Sequence, residues 1–368
     1  MNKFGKRIVL AGICTGLAAF ALTGCSNVNK SDVVATIDGD AEITLGVAGF
    51  MLRYNQIGME SFASALMGQT DIWSQTISDS DGTEITYGES FKQEMLDDVK
   101  EMMILEQHAS EYGVELTGEE QEKIAAAAKA FVESNDQKTL DAMYADEESV
   151  ARVLTLYTIQ EKMQAAIKEG ADKEVSDEEA AQKTIEYVTF STAGTTDDEG
   201  NTVELTEEEK EAVKAQAQQV IDAVKGGKTL EEAAKEIDEN KTVLSSSYGT
   251  DDTILDDKLK EAADALEDGE LAEEPVELDS AYYVVQMKST FDEEATETRK
   301  QTIITKREND LYDEVLAGWE PESFEIQQKL WDKVTFADSF SVKQTEAAET
   351  EAAAESETQT ETETVAES

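Results

Sequence analysis

Ile185-Glu186-Tyr187-Val188-Thr189-Phe190 and Ala281-Tyr282-Tyr283-Val284-Val285-Gln286-Met287 are the stretches on which the fold turns. Both are rich in β-branched and aromatic residues, which suit a pleated, half-buried surface, so both are expected to be strands. The sequence between them is helical in pattern. Glu207 to Lys225 reads as a helix ended by Gly226-Gly227, and Thr229-Leu230-Glu231-Glu232 is a capping box that opens another through about Ile237. Ser245 to Gly249 reads as a strand end and Asp256 to Leu266 as a helix. Asp268-Gly269 is a turn, and Pro275-Val276-Glu277 with the closing strand suggests a hairpin. Thr184 to Lys288 is therefore an α/β module framed by two strands.

Outward from this module the chain is mostly helical. Val33-Val34-Ala35-Thr36-Ile37 reads as a strand, Asp38-Gly39 as a turn and Thr44 as the cap of a helix through about Asn55. Ile57 to Gly88, broken by Gly58, Gly68 and Gly82, reads as a loop-rich insertion. Phe91, Met95, Val99, Met102 and Met103 then recur at helical spacing up to Gly113. Thr117-x-x-Glu120 caps a helix through Phe131 and Val132, and Ser149 to Glu169 is a further one. Beyond the module, Asp292 to Leu316 is a long helix, Pro321 opens another carrying Phe324, Leu330 and Trp331, and Val334-Thr335-Phe336 is a late strand. Val33–Ile37 has no partner nearby in sequence, so it is expected to pair with Val334–Phe336 and bring both chain ends into one domain.

At 368 residues and 40% apolar, the chain can bury a substantial core. Its 82 acidic against 31 basic residues give a net charge of -51, which disfavours nucleic acid and anionic membrane surfaces. No Gly-rich motif suggests a nucleotide. The two cysteines, Cys14 and Cys25, lie at the start, so the body has neither disulfide nor thiol nucleophile. Lys3, Lys6 and Arg7 precede an apolar run from Ile8 to Leu22, the parts of a secretory signal. Leu22-Thr23-Gly24-Cys25 resembles the bacterial lipoprotein box, which implies lipidation of Cys25 and a mature chain held at the outer face of a membrane. From Gln344 the composition collapses to Glu, Thr, Ala and Ser, and residues 344–368 are expected to be a disordered acidic tail.

The order of the module resembles a parvulin-type peptidyl-prolyl isomerase domain. The resemblance rests on Leu230-Glu231-Glu232-Ala233-Ala234-Lys235, on Tyr248-Gly249, and on Ala262 to Leu271 running into Ala281 to Val285. The start, Val34-Ala35-x-Ile37-Asp38-Gly39 leading to Ile43-Thr44, is similar to SurA-like chaperone domains. Together with the lipoprotein box and the returning helices, these features make the chain resemble PrsA-type foldase lipoproteins. The resemblance implies an α+β, predominantly helical fold in which a SurA-like domain built from both chain ends holds an inserted parvulin-like α/β domain. It divides the chain into signal peptide 1–24, lipidated tether 25–32, chaperone region 33–170, parvulin-like domain 171–290, completing helices and strand 291–343, and tail 344–368.

The resemblance further implies that the family's two strand histidines fall on Tyr187 and Tyr283, and that the proline pocket lies near Ile254 and Leu259. A phenol can donate a hydrogen bond, but its larger ring and ordinary pKa near 10 make it a poor copy of imidazole. A foldase that binds newly exported, unfolded polypeptides, with weak or absent isomerase activity, is the expectation; an active isomerase and a solute-binding or surface lipoprotein are the alternatives. No cofactor and no metal are expected. His108 stands alone on its helix, and Asp79-x-Asp81-Gly82 fails as a calcium loop because Ile77 and Gly88 would fall where acids are required. The many methionines of the N-terminal region point mainly to core packing, with a client surface made by a few of them as the sharper possibility.

Overall fold

The computed structural model describes residues 29–68, 71–79, 82–196 and 202–336. The signal segment, Cys25, Asp81 and the tail 344–368 lie outside them. The chain divides into two units, Met1–Glu169 with Tyr312–Ser368, and Gly170–Leu311.

In the first unit Val33–Ile37 (β1) and Ala41–Thr44 (β2) pair antiparallel across Asp38 and Gly39, both at positive φ. The expectation that β1 lacks a local partner is therefore corrected: β2 is its hairpin mate. The Thr44 hydroxyl accepts from the Val47 N–H and starts Leu45–Met67 (α1), which runs on through Gly58 to a left-handed Gly68. Thr76–Ser78 (β3) and Glu84–Thr86 (β4) form a small hairpin. Thr86 and Glu89 then build a capping box at the head of Tyr87–His108 (α2). The stretch read as a loop-rich insertion is thus helix, hairpin and helix start. Gly88 is required where it stands, because a Cβ there would meet the Phe336 ring at 2.9 Å and the Trp73 carbonyl at 3.1 Å.

A 3-10 turn, Ala109–Tyr112, and Gly113 at φ 65 end the second helix. Gly118–Ser134 (α3) opens on the Thr117/Glu120 box, followed by Gln137–Ala142 (α4) and Glu147–Glu169 (α5). The core gathers Leu52, Leu96, Val99 and Leu156 with Met51, Met95, Met102, Met103 and Met143. Met163 is buried as well. These thioethers fill gaps between helices and offer no surface to a client.

The second unit begins with Asp177–Ala180 (α6), Lys183–Ser191 (β5) and the short pair Thr195–Thr196 (β6) and Thr202–Val203 (β7). Glu207–Lys225 (α7) and Leu230–Ile237 (α8) each start on a Thr/Glu capping box. Leu244–Tyr248 (β8), Asp257–Asp264 (α9), Val276–Leu278 (β9) and Ala281–Ser289 (β10) complete it. Its sheet is antiparallel in the order β8-β5-β10-β9, so the two stretches that opened the sequence reading are the central strands. The two-residue period of a strand splits their side chains between two layers. Val188, Phe190, Tyr282 and Val284 pack on α7 and α8, while Ile185, Val285 and Met287 pack on Leu259 and Ala263 of α9.

Glu293–Gly318 (α10) carries the chain back, the division between units falling within it at Leu311/Tyr312. Phe324–Ile326 (β11) and Gln328–Trp331 (α11) follow. Strand β11 pairs with the free edge of β1, Ala35 facing Ile326 and Ile37 facing Phe324. The α+β, predominantly helical chain is therefore built as expected, with one domain made from both chain ends and an α/β domain inserted. The strand that closes it is not the expected one. Val334–Phe336 forms no ladder; Val334 is buried, and Phe336 stacks on Trp73 at 4.2 Å and 11°. Propensity favours Val-Thr-Phe over Phe-Glu-Ile, whose central Glu is depleted in strands, so it is overruled here, and Phe324 lies on a strand in place of the expected helix opened by Pro321. The choice follows from where α10 delivers the chain.

Candidate functional site

Tyr187 of β5 faces Val285, and Tyr283 of β10 faces Thr189, so the tyrosines are diagonal neighbours on one face of the sheet. Their ring centroids lie 5.8 Å apart at 51°. The register extends the row in both directions: Leu244 of β8 stands opposite Tyr187, and Val276 of β9 opposite Tyr283. Leu244, Tyr187, Tyr283 and Val276 thus cross all four strands. Leu244 is 47% exposed, whereas the other three are half-buried against the α9 layer. No hydrogen bond ends on either phenol among the described residues.

Leu259, expected in the pocket, lies in this layer with only 3% of its surface exposed. Ile254 does not: it is 95% exposed and walls nothing. Its neighbour Leu255 is buried instead, beside Leu259 and Ala263. The four-residue steps Leu255, Leu259, Ala263 are the helical period and could have identified it. Leu244 was missed for a different reason. It precedes Ser245-Ser246-Ser247, an unpromising context, and only the register to Tyr187 places it on the face.

The layer behind the tyrosines is pinned by a partly exposed polar contact. The Tyr248 hydroxyl donates to Asp264 Oδ1 at 2.7 Å, and Lys183 Nζ reaches the same oxygen at 2.9 Å. Burial, then the hydrogen bond to Asp264 and its charge, push the Tyr248 phenol well above its ordinary range. Burial works against ionisation of Asp264, but the hydrogen bonds from Lys183 and Tyr248 outweigh it and hold the carboxyl below its usual range. Gly249 follows because a Cβ there would meet Gln182 Nε2 at 2.4 Å. On the opposite face, Thr184 donates to Asp292 Oδ2 at 2.7 Å, while Asp292 Oδ1 accepts from the Ala295 N–H at 3.0 Å. That aspartate ties the first residues of β5 to the start of α10. The Ala295 bond, followed by the one from Thr184, lowers its pKa.

The face can seat an apolar or prolyl side chain against two aromatic rings and offer phenol hydroxyls to a backbone carbonyl. It holds no imidazole and no thiol. His108 lies in the other unit, stacked on Trp319 at 4.1 Å and 2°, with Nδ1 2.8 Å from Glu111. Among the described residues no group of three or more His, Cys, Asp or Glu could hold a metal ion.

No family model matches the chain, and no curated protein is similar to it. Solved structures are. Foldase protein PrsA from Streptococcus pneumoniae is 17% identical with a TM-score of 0.26, over 71% of this chain and 98% of that one. PrsA from Bacillus cereus, a peptidylprolyl isomerase, is 14% identical with a TM-score of 0.28, over 76% of this chain and 99% of that one. A structure reported with the two SurA-like chaperones PEB4 and Cj1289 of Campylobacter jejuni is 9% identical with a TM-score of 0.26, over 80% of this chain and 98% of that one. The chain is thus similar to PrsA and SurA-like proteins, each at a TM-score below 0.5.

Proposed function

We propose that this chain is a membrane-anchored extracytoplasmic foldase that holds newly exported, unfolded polypeptides, with Cys25 carrying the lipid and the inserted domain supplying a peptide-facing sheet. The observation that carries the reading is the row Leu244, Tyr187, Tyr283, Val276, an apolar and aromatic strip left partly open to solvent. An apolar side chain seated on it gains about 1.5–3 kcal/mol, which suits weak, reversible holding of varied segments. The domain boundaries at 170/171, 290/291 and 343/344 belong to the same proposal.

Isomerisation asks for more than holding. Rotation about an X-Pro bond faces a barrier of about 18–20 kcal/mol from amide resonance. Two phenols on a half-open face exclude little water and place no fixed charge on the rotating bond, so the proposed activity is weak or absent. The test uses the chain without its first 25 residues and an aggregation-prone unfolded client. Suppression of aggregation at stoichiometric amounts, lost in the Tyr187→Ala/Tyr283→Ala double variant, is the expected result. No suppression by the parent chain would sink the chaperone reading. A proline-limited refolding assay separates the activities: an unaccelerated slow phase fits holding, whereas acceleration lost on Tyr187→Phe and Tyr283→Phe would make the protein an isomerase.

A further inference from the structure

Acidic residues outnumber basic ones 82 to 31 in this chain, and nearly every described lysine is engaged by a carboxylate, a carbonyl or a ring. Lys329, Lys333 and Lys138 are the exceptions: all three are exposed, and their ammonium groups make no hydrogen bond, ion pair or ring contact among the described residues. Two of the three border the same feature. A groove of about 710 Å³ runs along the first unit's sheet, lined by Val33, Thr36, Glu42, Gln327, Leu330 and these two lysines. Its lining carries two ammonium groups against one carboxylate, in a protein whose overall balance is the reverse. Val33 and Leu330 add apolar surface.

We infer that this groove docks the chain's own acidic C-terminal segment, Gln344–Ser368. That segment contains eight glutamates and no basic residue. It starts eight positions after Phe336, which is anchored on Trp73 in the same unit, so a tether of seven residues separates the anchor from the acidic run. Such a short tether holds a segment at an effective concentration in the millimolar range, where a few weak contacts suffice. The charge pattern also matches. Glu351-Ala352-Ala353-Ala354-Glu355 has two carboxylates four positions apart with only methyl side chains between, and Lys329 and Lys333 are likewise four apart with Leu330 between. Each exposed pair contributes little alone, so docking depends on both lysines and weakens with salt.

The experiment is limited digestion of the full chain in detergent by a glutamate-specific protease, following release of C-terminal peptides by mass spectrometry at low ionic strength. Lys329→Gln/Lys333→Gln is expected to speed cleavage after Glu346 to Glu367 by about fivefold. Lys138→Gln, which removes an unengaged lysine away from the groove, should leave the rate unchanged. Matching thermal midpoints establish that the variants are folded. Equal rates in all three proteins would overturn the inference. So would protection that appears only as protein concentration rises, because the occupant would then be a second copy.

Discussion

The two units treat their apolar side chains in opposite ways. The unit made from both chain ends closes on itself: Met51, Met95, Met102, Met103, Met143 and Met163 are inside, Trp331 and Val334 are buried, and Phe336 and Trp73 stack. The inserted unit leaves a row across its sheet unfinished, with Leu244 nearly half exposed and two tyrosines whose hydroxyls meet no partner among the described residues. Methionine content alone would have put the adaptable surface in the first unit. The open apolar row is instead in the second, where stiff aromatic and aliphatic side chains on a sheet would give the proposed peptide surface little to order before binding.

The harshest way to break this contrast is to open the closed unit. Trp331 is 3% exposed, Lys92 lies 5.3 Å from its ring centre, and Lys92 Nζ donates to its carbonyl at 2.7 Å. Trp331→Ala is expected to cost about 3–5 kcal/mol. Trp331→Phe should cost far less, since the buried indole N–H has no partner and its loss relieves an unmet donor. Trp73, Trp319 and Trp331 all fall in this unit, so tryptophan fluorescence in urea reports it alone, and the remaining two still report in the variants. If the alanine variant unfolds at the parent's urea midpoint, the chain's return does not close the first unit.

A milder probe is pH. Burial, followed by the charges of Glu94, Glu101 and Asp97, pushes the Asp98 carboxyl up to about 7, and Tyr157 also faces it from α5. An unfolded aspartate titrates near 3.9. Between those values the native chain keeps a proton that the unfolded chain has released, so stability is highest at the acid end and falls as pH rises through about 7. Burial also raises Glu101, with the same sign, although the Tyr312 hydroxyl at 2.9 Å opposes it. Asp98→Asn should stabilise the first unit at pH 8 by about 1–2 kcal/mol and flatten its profile. A steeper profile in the variant would show that the charge serves the fold.

The gentlest probe sharpens the other side. Leu244→Ser on β8 should change stability by no more than about 0.5 kcal/mol, as exposed substitutions do. It should nonetheless weaken holding of an unfolded client several-fold in the aggregation assay. Unchanged holding would place the peptide surface elsewhere on the second unit.

Much of this fold was legible because local chemistry dictated it. The Thr117 and Thr229 boxes, the stops at Gly113 and Gly226, and the β-rich central strands are decided within a few residues by capping, φ and propensity. The Thr86 and Thr206 boxes carry the same signature and were readable as well. Where local signals pointed the wrong way or tied, the sequence could not arbitrate. Phe324–Ile326, read as part of a helix opened by Pro321, pairs with β1 in place of Val334–Phe336, and Ile254 and Leu255 are adjacent aliphatics, one solvent-exposed and the other in the core.

For the candidate site, the sequence by itself put Tyr187 and Tyr283 on strands that share a module, since alternation and composition act over a handful of residues. The tertiary structure decided that their rings meet, that Leu244 and Val276 extend them into a row, and that β11 rather than the chain's last aromatic run completes the first sheet. Those outcomes depend on register and on where distant helices deliver the backbone, and such long-range geometry is set by the packing of whole layers.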